Sequence, residues 1–220
     1  LWREQLLFIF DWDGTLSDSK AKITKAMQLA AQDMGWVPLA DHHIHNIIGL
    51  GLPEAIHRLY PEVDLSGRQR LRDAYATHFL SLDEVRPSDF FPGVMDTLHR
   101  LKADGHTLTI ATGKSRKGLD RIFGVLGVAD FFHATRCADE TASKPDPLML
   151  EELLCEFGVA AGEAVMIGDT EYDMEMARRI HMPRIAVSYG AHHVDRLHSY
   201  QPELCLDQFD QLLTWKKLAG

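Results

Sequence analysis

Short apolar runs recur along this chain, at Leu6–Phe10, Leu108–Ala111, Phe131–Thr135, Val165–Ile167 and Ile185–Val187. A run such as Leu6–Phe10, which does not alternate with polar residues, reads as a strand buried on both faces, the usual state of a strand in a parallel sheet. Most of these runs are separated by stretches with helical spacing, at Val94–Ala103, Leu119–Leu126, Pro147–Phe157 and Met174–Ile180. Strand and helix alternating at this rhythm predict an α/β fold with a doubly wound parallel sheet, and Leu6–Phe10 as its central strand. Sheets of this kind bind ligands at the carboxyl ends of their strands. The residues that follow each run are therefore where chemistry is sought.

The alternation is interrupted once. Between Asp18 and Phe90 the chain has helical patterns near Ala21–Met34, Asp41–Ile48, Pro53–Leu59 and Arg68–Leu80, with turns at Gly35, Gly49–Gly51 and Pro61, and no convincing strand. The expected organisation is an α/β core of residues 1–17 and 87–220, with a helical cap of residues 18–86 inserted where it can cover the carboxyl edge of the sheet. At 220 residues the chain is long enough for both. No segment approaches the roughly 20 apolar residues that cross a bilayer. A net charge of −9 without a basic run argues against nucleic-acid and acidic-membrane partners. Cys137, Cys155 and Cys205 are odd in number and lack a CxxC, which suits free thiols in a reducing compartment. The five-residue apolar start runs directly into Asp11 and is too short for the core of a signal peptide, so a cytoplasmic location is expected.

Asp11 and Asp13 stand two apart in Asp11-Trp12-Asp13-Gly14-Thr15, at the end of the first run. Residues at that spacing can point to the same region above the sheet edge. Alone, the pair reads equally well as a turn whose carboxylates satisfy backbone N–H groups. It reads as a phosphate site if a divalent cation offsets the two charges, and magnesium suits carboxylate oxygens, water and phosphate. Later positions weigh toward the second reading. Thr112 follows the second run, and its hydroxyl with the Gly113 amide could hold a phosphoryl oxygen. Lys144, in Ser143-Lys144-Pro145, could place a cation against the same group. Gly168-Asp169-Thr170-Glu171-Tyr172-Asp173 follows Val165–Ile167 and offers Asp169 and Asp173 as metal ligands. Each is ordinary by itself, as a turn threonine, a solvated lysine or an acidic helix cap. In the correct strand order they form one constellation.

These segments, DWDGT at Asp11–Thr15, ATGKS at Ala111–Ser115, SKPDP at Ser143–Pro147 and GDTEYD at Gly168–Asp173, resemble the motifs of the haloacid dehalogenase superfamily of phosphatases. The chain is similar to that family's phosphoglycolate phosphatase-like branch over nearly its whole length, the helical block between first and second motifs included. The resemblance implies that Asp11 is a nucleophile forming an aspartyl-phosphate and that Asp13 is the general acid and then base. It implies magnesium held by Asp11, the Asp13 carbonyl, Asp169 and Asp173. Thr112 and Lys144 would stabilise phosphoryl charge. Gly14, Thr15, Gly113 and Lys114 would line the substrate site, and Arg58 is a candidate for a substrate carboxylate. The implied partner is a small phosphorylated metabolite, with phosphoglycolate first and pyrophosphate, sugar phosphates and nucleotides as alternatives.

Asp13 argues against dehalogenases and phosphonatases, which lack an aspartate two residues after the nucleophile. β-Phosphoglucomutases share it, but carry an arginine after the cap glycine where this chain has Leu52. A phospho-aspartate receiver domain is a rival of a different class; it is shorter, has no cap and carries its aspartate on a middle strand. Gly113-Lys114-Ser115 is not a P-loop, since the first glycine of that motif would fall on Leu108. His42, His43, His45, His192 and His193 read as loop or surface histidines, and Arg116, Lys117 and Arg121 as a solvated basic helix face.

Overall fold

The computed structural model describes residues 5–82 and 84–218, so residues 1–4, Asp83 and residues 219–220 of the expected core and cap lie outside the described residues. Six strands form one sheet: β1 (Leu7–Phe10), β2 (Thr107–Thr112), β3 (Ala134–Cys137), β4 (Ala164–Gly168), β5 (Arg184–Val187) and β6 (Leu204–Leu206). Their order is β3-β2-β1-β4-β5-β6, and every neighbouring pair is parallel. The chain winds outward from β1 on one side and then, from β4, on the other. The resulting switch point at the carboxyl end of β1 is where doubly wound sheets bind ligands.

Between β1 and β2 come α1 (Lys20–Asp33), α2 (Asp41–His45), α3 (Leu52–Leu59), α4 (Leu65–Leu82) and α5 (Val94–Ala103); the later strands alternate with α6 (Arg116–Leu126), α7 (Leu148–Phe157), α8 (Glu171–Arg179) and α9 (Val194–His198). The period-two geometry of a strand sends Phe8 and Phe10 to one face of the sheet and Leu7 and Ile9 to the other. Phe8 and Phe10 join Leu98 of α5, Phe123 of α6, Phe209 and Trp215. Leu7 and Ile9 join Leu153 of α7 and Met176 of α8. All four β1 side chains are buried, which explains why the run could not alternate. Full burial of such side chains contributes about 1.5–3 kcal/mol each.

Helices α1 to α4 form an insertion with its own apolar centre, including Met27, Ile44, Ile56 and Leu71. The chain leaves and re-enters the α/β unit side by side. The Asp18 N–H donates to the Asp89 carbonyl at 2.7 Å, the Phe91 N–H to the Leu16 carbonyl at 2.9 Å, and Lys22 pairs with Asp89 at 3.0 Å.

Local differences from the sequence reading have clear causes. The third strand lies at Ala134–Cys137 and not at Phe131–Thr135, because Phe131 and Phe132 leave the sheet to stack in the core. The Phe132 ring lies 6.3 Å from that of Trp12 and 5.5 Å from that of Phe123. Helix α8 begins at Glu171, three residues before the expected Met174, because Thr170 caps it by accepting from the Asp173 N–H. Strand β6 and helix α9 were not anticipated: β6 has three residues and α9 five, too few for either to carry a periodic signal.

Candidate active site

Phe10 of β1 lies opposite Ile110 of β2 and Ile167 of β4. One residue further on, the three strands deliver Asp11, Ala111 and Gly168 to a common level, with Thr112 and Asp169 just beyond. The Asp11 N–H donates to the Ile167 carbonyl at 3.0 Å, so the nucleophile candidate is the last residue tied into the ladder.

Asp11, Asp169 and Asp173 are each no more than 1% exposed, and one carboxylate oxygen of each lies within 4.8 Å of the others. Lys144, also buried, reaches across from the loop before α7. Its Nζ donates to Asp11 Oδ1 at 2.8 Å and to Asp173 Oδ1 at 2.7 Å. Asp173 Oδ2 accepts from the Thr170 hydroxyl at 2.8 Å and the Thr170 N–H at 3.1 Å. Asp169 accepts from the Thr15 hydroxyl at 3.0 Å on Oδ1 and from the Ala191 N–H at 2.7 Å on Oδ2. Asp11 Oδ2 is buried with no hydrogen-bond partner.

The electrostatics follow from burial. Desolvation, with Asp173 adding to it, raises the Asp11 carboxyl well above the usual carboxylate range, against the pull of Lys144. Desolvation and Asp173 push Asp169 up to about 6. Burial by itself lowers the Lys144 ammonium, but Asp11 and Asp173 outweigh it and hold the group above its ordinary value. Three buried carboxylates thus face one ammonium, and one carboxylate oxygen lacks any donor. An all-oxygen donor set with surplus negative charge fits a hard divalent cation.

Asp13 lies beside this group with separate partners: its Oδ1 accepts from the Ser19 hydroxyl at 2.7 Å and pairs with Lys114 Nζ at 3.1 Å. Gly14 has a φ of +82°, and a Cβ there would come within 2.2 Å of Asp169 Oδ2, so only glycine lets the turn pass beneath that carboxylate. The Thr112 hydroxyl accepts from the Lys114 N–H at 3.1 Å, and Ser115 caps α6 by accepting from the Gly118 N–H at 3.1 Å.

The structure brings Asp11, Asp13, Gly14, Thr15, Thr112, Gly113, Lys114, Lys144, Asp169 and Asp173 to one sheet edge. Arg58 stands apart, donating to Glu54 at 2.8 Å with its guanidinium 5.5 Å from the centre of the Tyr172 ring. Several contributors were not singled out in the sequence. Ser19 orients Asp13, the Ala191 N–H holds Asp169, and the Tyr189 hydroxyl donates to the Thr15 carbonyl at 2.8 Å. Tyr189 and Ala191 follow β5, so the rule that pointed to the ends of the earlier strands extends to that one. His192, expected in a loop or at the surface, is in a loop but buried. Its Nδ1 accepts from the Glu171 N–H at 3.1 Å, and its Nε2 lies 3.1 Å from the Asn46 carbonyl of the insertion.

Residues 8–187 match the family of haloacid dehalogenase-like hydrolases, and the chain belongs to that family. It is 32% identical over 211 residues to the probable phosphatase IndB of Dickeya dadantii, covering 94% of this chain and 91% of that one. It is 30% identical over 224 residues to a phosphoglycolate phosphatase of Aliivibrio fischeri, covering 97% of each. Among solved structures it is similar in fold to a predicted phosphoglycolate phosphatase of Haemophilus somnus, with a TM-score of 0.86, 22% identity and coverage of 96% and 97%. It is equally similar in fold to a β-phosphoglucomutase of Clostridium difficile, with a TM-score of 0.85, 19% identity and coverage of 98% and 97%. Within the family the chain is similar to the phosphoglycolate phosphatase-like branch, and it is an enzyme, a phosphoric monoester hydrolase.

Proposed function

We propose that the enzyme hydrolyses small phosphorylated metabolites in the cytoplasm through an aspartyl-phosphate on Asp11, with magnesium as cofactor and residues 18–86 as a cap over the site. The observation that carries this reading is the state of Asp11. One carboxylate oxygen is fixed by Lys144 at 2.8 Å, and the other is buried and unpartnered beside Asp169 and Asp173.

In this reading an Asp11 carboxylate oxygen attacks phosphorus, and the bond from phosphorus to the ester oxygen breaks. Asp13 gives its proton to the departing oxygen, releasing an alcohol. Water then attacks the same phosphorus, Asp13 takes a proton from it, and the bond to Asp11 breaks to release inorganic phosphate. Lys144 draws Asp11 toward its ionised form, opposing the desolvation that raises it, and Thr112 with the Gly113 N–H donates to the phosphoryl oxygens. Lys114 and Ser19 orient the Asp13 carboxylate. Asp11, Asp169, Asp173 and the Asp13 carbonyl would hold the magnesium, which when bound supplies the positive charge that lets a phosphate dianion approach three carboxylates.

Phosphoglycolate, the ester in the names of several relatives, is the first natural ester to assay. The reaction itself is tested with p-nitrophenyl phosphate. Chelation of magnesium and Asp11→Asn are each expected to abolish turnover, and Asp13→Asn to lower kcat by about 10²–10⁴. Turnover unaffected by chelation or by Asp11→Asn would overturn the mechanism.

A further inference from the structure

Between the helical insertion and the loop that follows β2 lies a cavity of about 420 Å³. Asp13, Gly113 and Lys114 stand at its wall, so it is continuous with the phosphoryl site. Much of the remaining wall is apolar, with Met27, Ile48, Leu50, Tyr75, Phe79 and Ile122 among its residues. Met27, Ile48 and Leu50 are 1%, 3% and 6% exposed, so this wall is part of the packed interior of the insertion rather than a loose surface patch. Lys114 joins the two regions. Its Nζ is 3.1 Å from Asp13 and 4.9 Å from the centre of the Phe79 ring. Lys117 and Arg121 of α6 bring the charge along the wall to three cations against the one carboxylate of Asp13. Such a wall draws an anionic ester inward and then offers an apolar seat to what the phosphate is attached to.

A cavity of this size, mostly apolar with a few charged groups, is built for a ligand of many atoms. Phosphoglycolate brings two carbons and a second anion, and would leave most of the apolar wall facing water. Arg58, the cation that the sequence offered for that second anion, is not among the residues lining the cavity. We infer that the preferred substrate is a phosphate monoester with a bulky, apolar organic part, at least the size of an aromatic ring, seated against Met27, Ile48, Leu50 and Phe79. This inference rests on the phosphatase reading given above.

The test is a series of esters of primary alcohols with similar leaving groups: ethyl phosphate, phosphoglycolate, 2-phenylethyl phosphate and 2-(1-naphthyl)ethyl phosphate, assayed with wild type, Asp11→Asn and Ala76→Trp. Ala76 lines the cavity from an exposed position on α4, so a larger side chain there can be accommodated without disturbing the core; an unchanged Tm checks this. In wild type, kcat/KM is expected to rise at least tenfold from ethyl to naphthylethyl phosphate and to exceed that for phosphoglycolate by at least as much. Ala76→Trp is expected to compress the naphthylethyl-to-ethyl ratio about tenfold. A flat or inverted series, or phosphoglycolate as the best ester, with all activity lost in Asp11→Asn, would overturn the inference and leave the nucleophile standing. The same size order surviving in Asp11→Asn would support the cavity and overturn the nucleophile.

Discussion

Lys144 holds two carboxylates, Asp11 at 2.8 Å and Asp173 at 2.7 Å, where solvent reaches none of the three. Removing one partner of a buried ion pair typically costs about 3–5 kcal/mol, because the charge left behind has nothing to replace water. Lys144→Met is therefore expected to lower Tm sharply in metal-free buffer. Magnesium should then raise the Tm of the variant by more than it raises that of wild type, since the three carboxylates have lost their ammonium. Equal magnesium shifts would show that the metal binds elsewhere. His192 gives a prediction about pH. Burial first, and Arg196 second, hold its imidazole below its ordinary value of 6.5. The unfolded chain then binds a proton that the folded one resists, so the contribution of His192 to stability is constant above about pH 6.5 and falls as the pH drops below it, opposite in sign to that of the raised carboxyl of Asp169. Urea titrations from pH 7.5 to 5 should show this loss reduced in His192→Gln, which keeps a donor and an acceptor but does not titrate. At this scale the sequence was most legible where a residue follows a strand: Asp11, Thr112 and Asp169 could be placed in order from the runs before them. Ser19 and Tyr189 were not legible, because their partners, Asp13 and the Thr15 carbonyl, are chosen by packing and not by local pattern.

Among the elements, the turn between α2 and α3 fixes how the insertion meets the sheet. The Gly49 and Leu50 carbonyls stand where a Cβ on Gly113 would lie 2.5 and 2.6 Å from them, and the Gly51 N–H donates to the Ser143 hydroxyl at 2.9 Å. The turn thus touches the loops that carry Thr112 and Lys144. Gly113→Ala should force it away, lowering kcat/KM for phosphate esters at least tenfold and exposing the insertion's boundaries to protease, with an unchanged far-UV spectrum. Wild-type kinetics in that variant would show that the close approach is dispensable. Helix α6 offers a smaller test. Loss of the cap in Ser115→Ala should cost about 1 kcal/mol in urea unfolding. Element type was legible from the helical period over the ten residues of α5 and from the unbroken apolar run of β1. At β3 the type was right and the bounds were not, since Phe131 and Phe132 imitate a strand but serve the core, and β6 was missed because three residues at a sheet edge leave too little pattern to read.

For the whole molecule, the division of labour was visible in the order of motifs, with helices inserted after the first strand and the later motifs at successive strand ends. The shape of the space enclosed was not. Lys117 and Arg121 read as a solvated helix face, and Lys117 is exposed; that both also line the cavity could not be read, because the insertion's α4 comes down opposite α6 only in the folded chain. Family likeness carries the reaction, which depends on the sheet edge, further than it carries the substrate, which depends on the insertion. The chemistry at the sheet edge is open to one direct measurement. The enzyme turning over a phosphate ester with magnesium is quenched, reduced with borohydride and mapped by peptide mass spectrometry. An acyl-phosphate on Asp11 predicts conversion of that residue, and no other aspartate, to homoserine, dependent on both ester and magnesium. Full turnover with Asp11 unmodified, or conversion at another aspartate, would contradict the account.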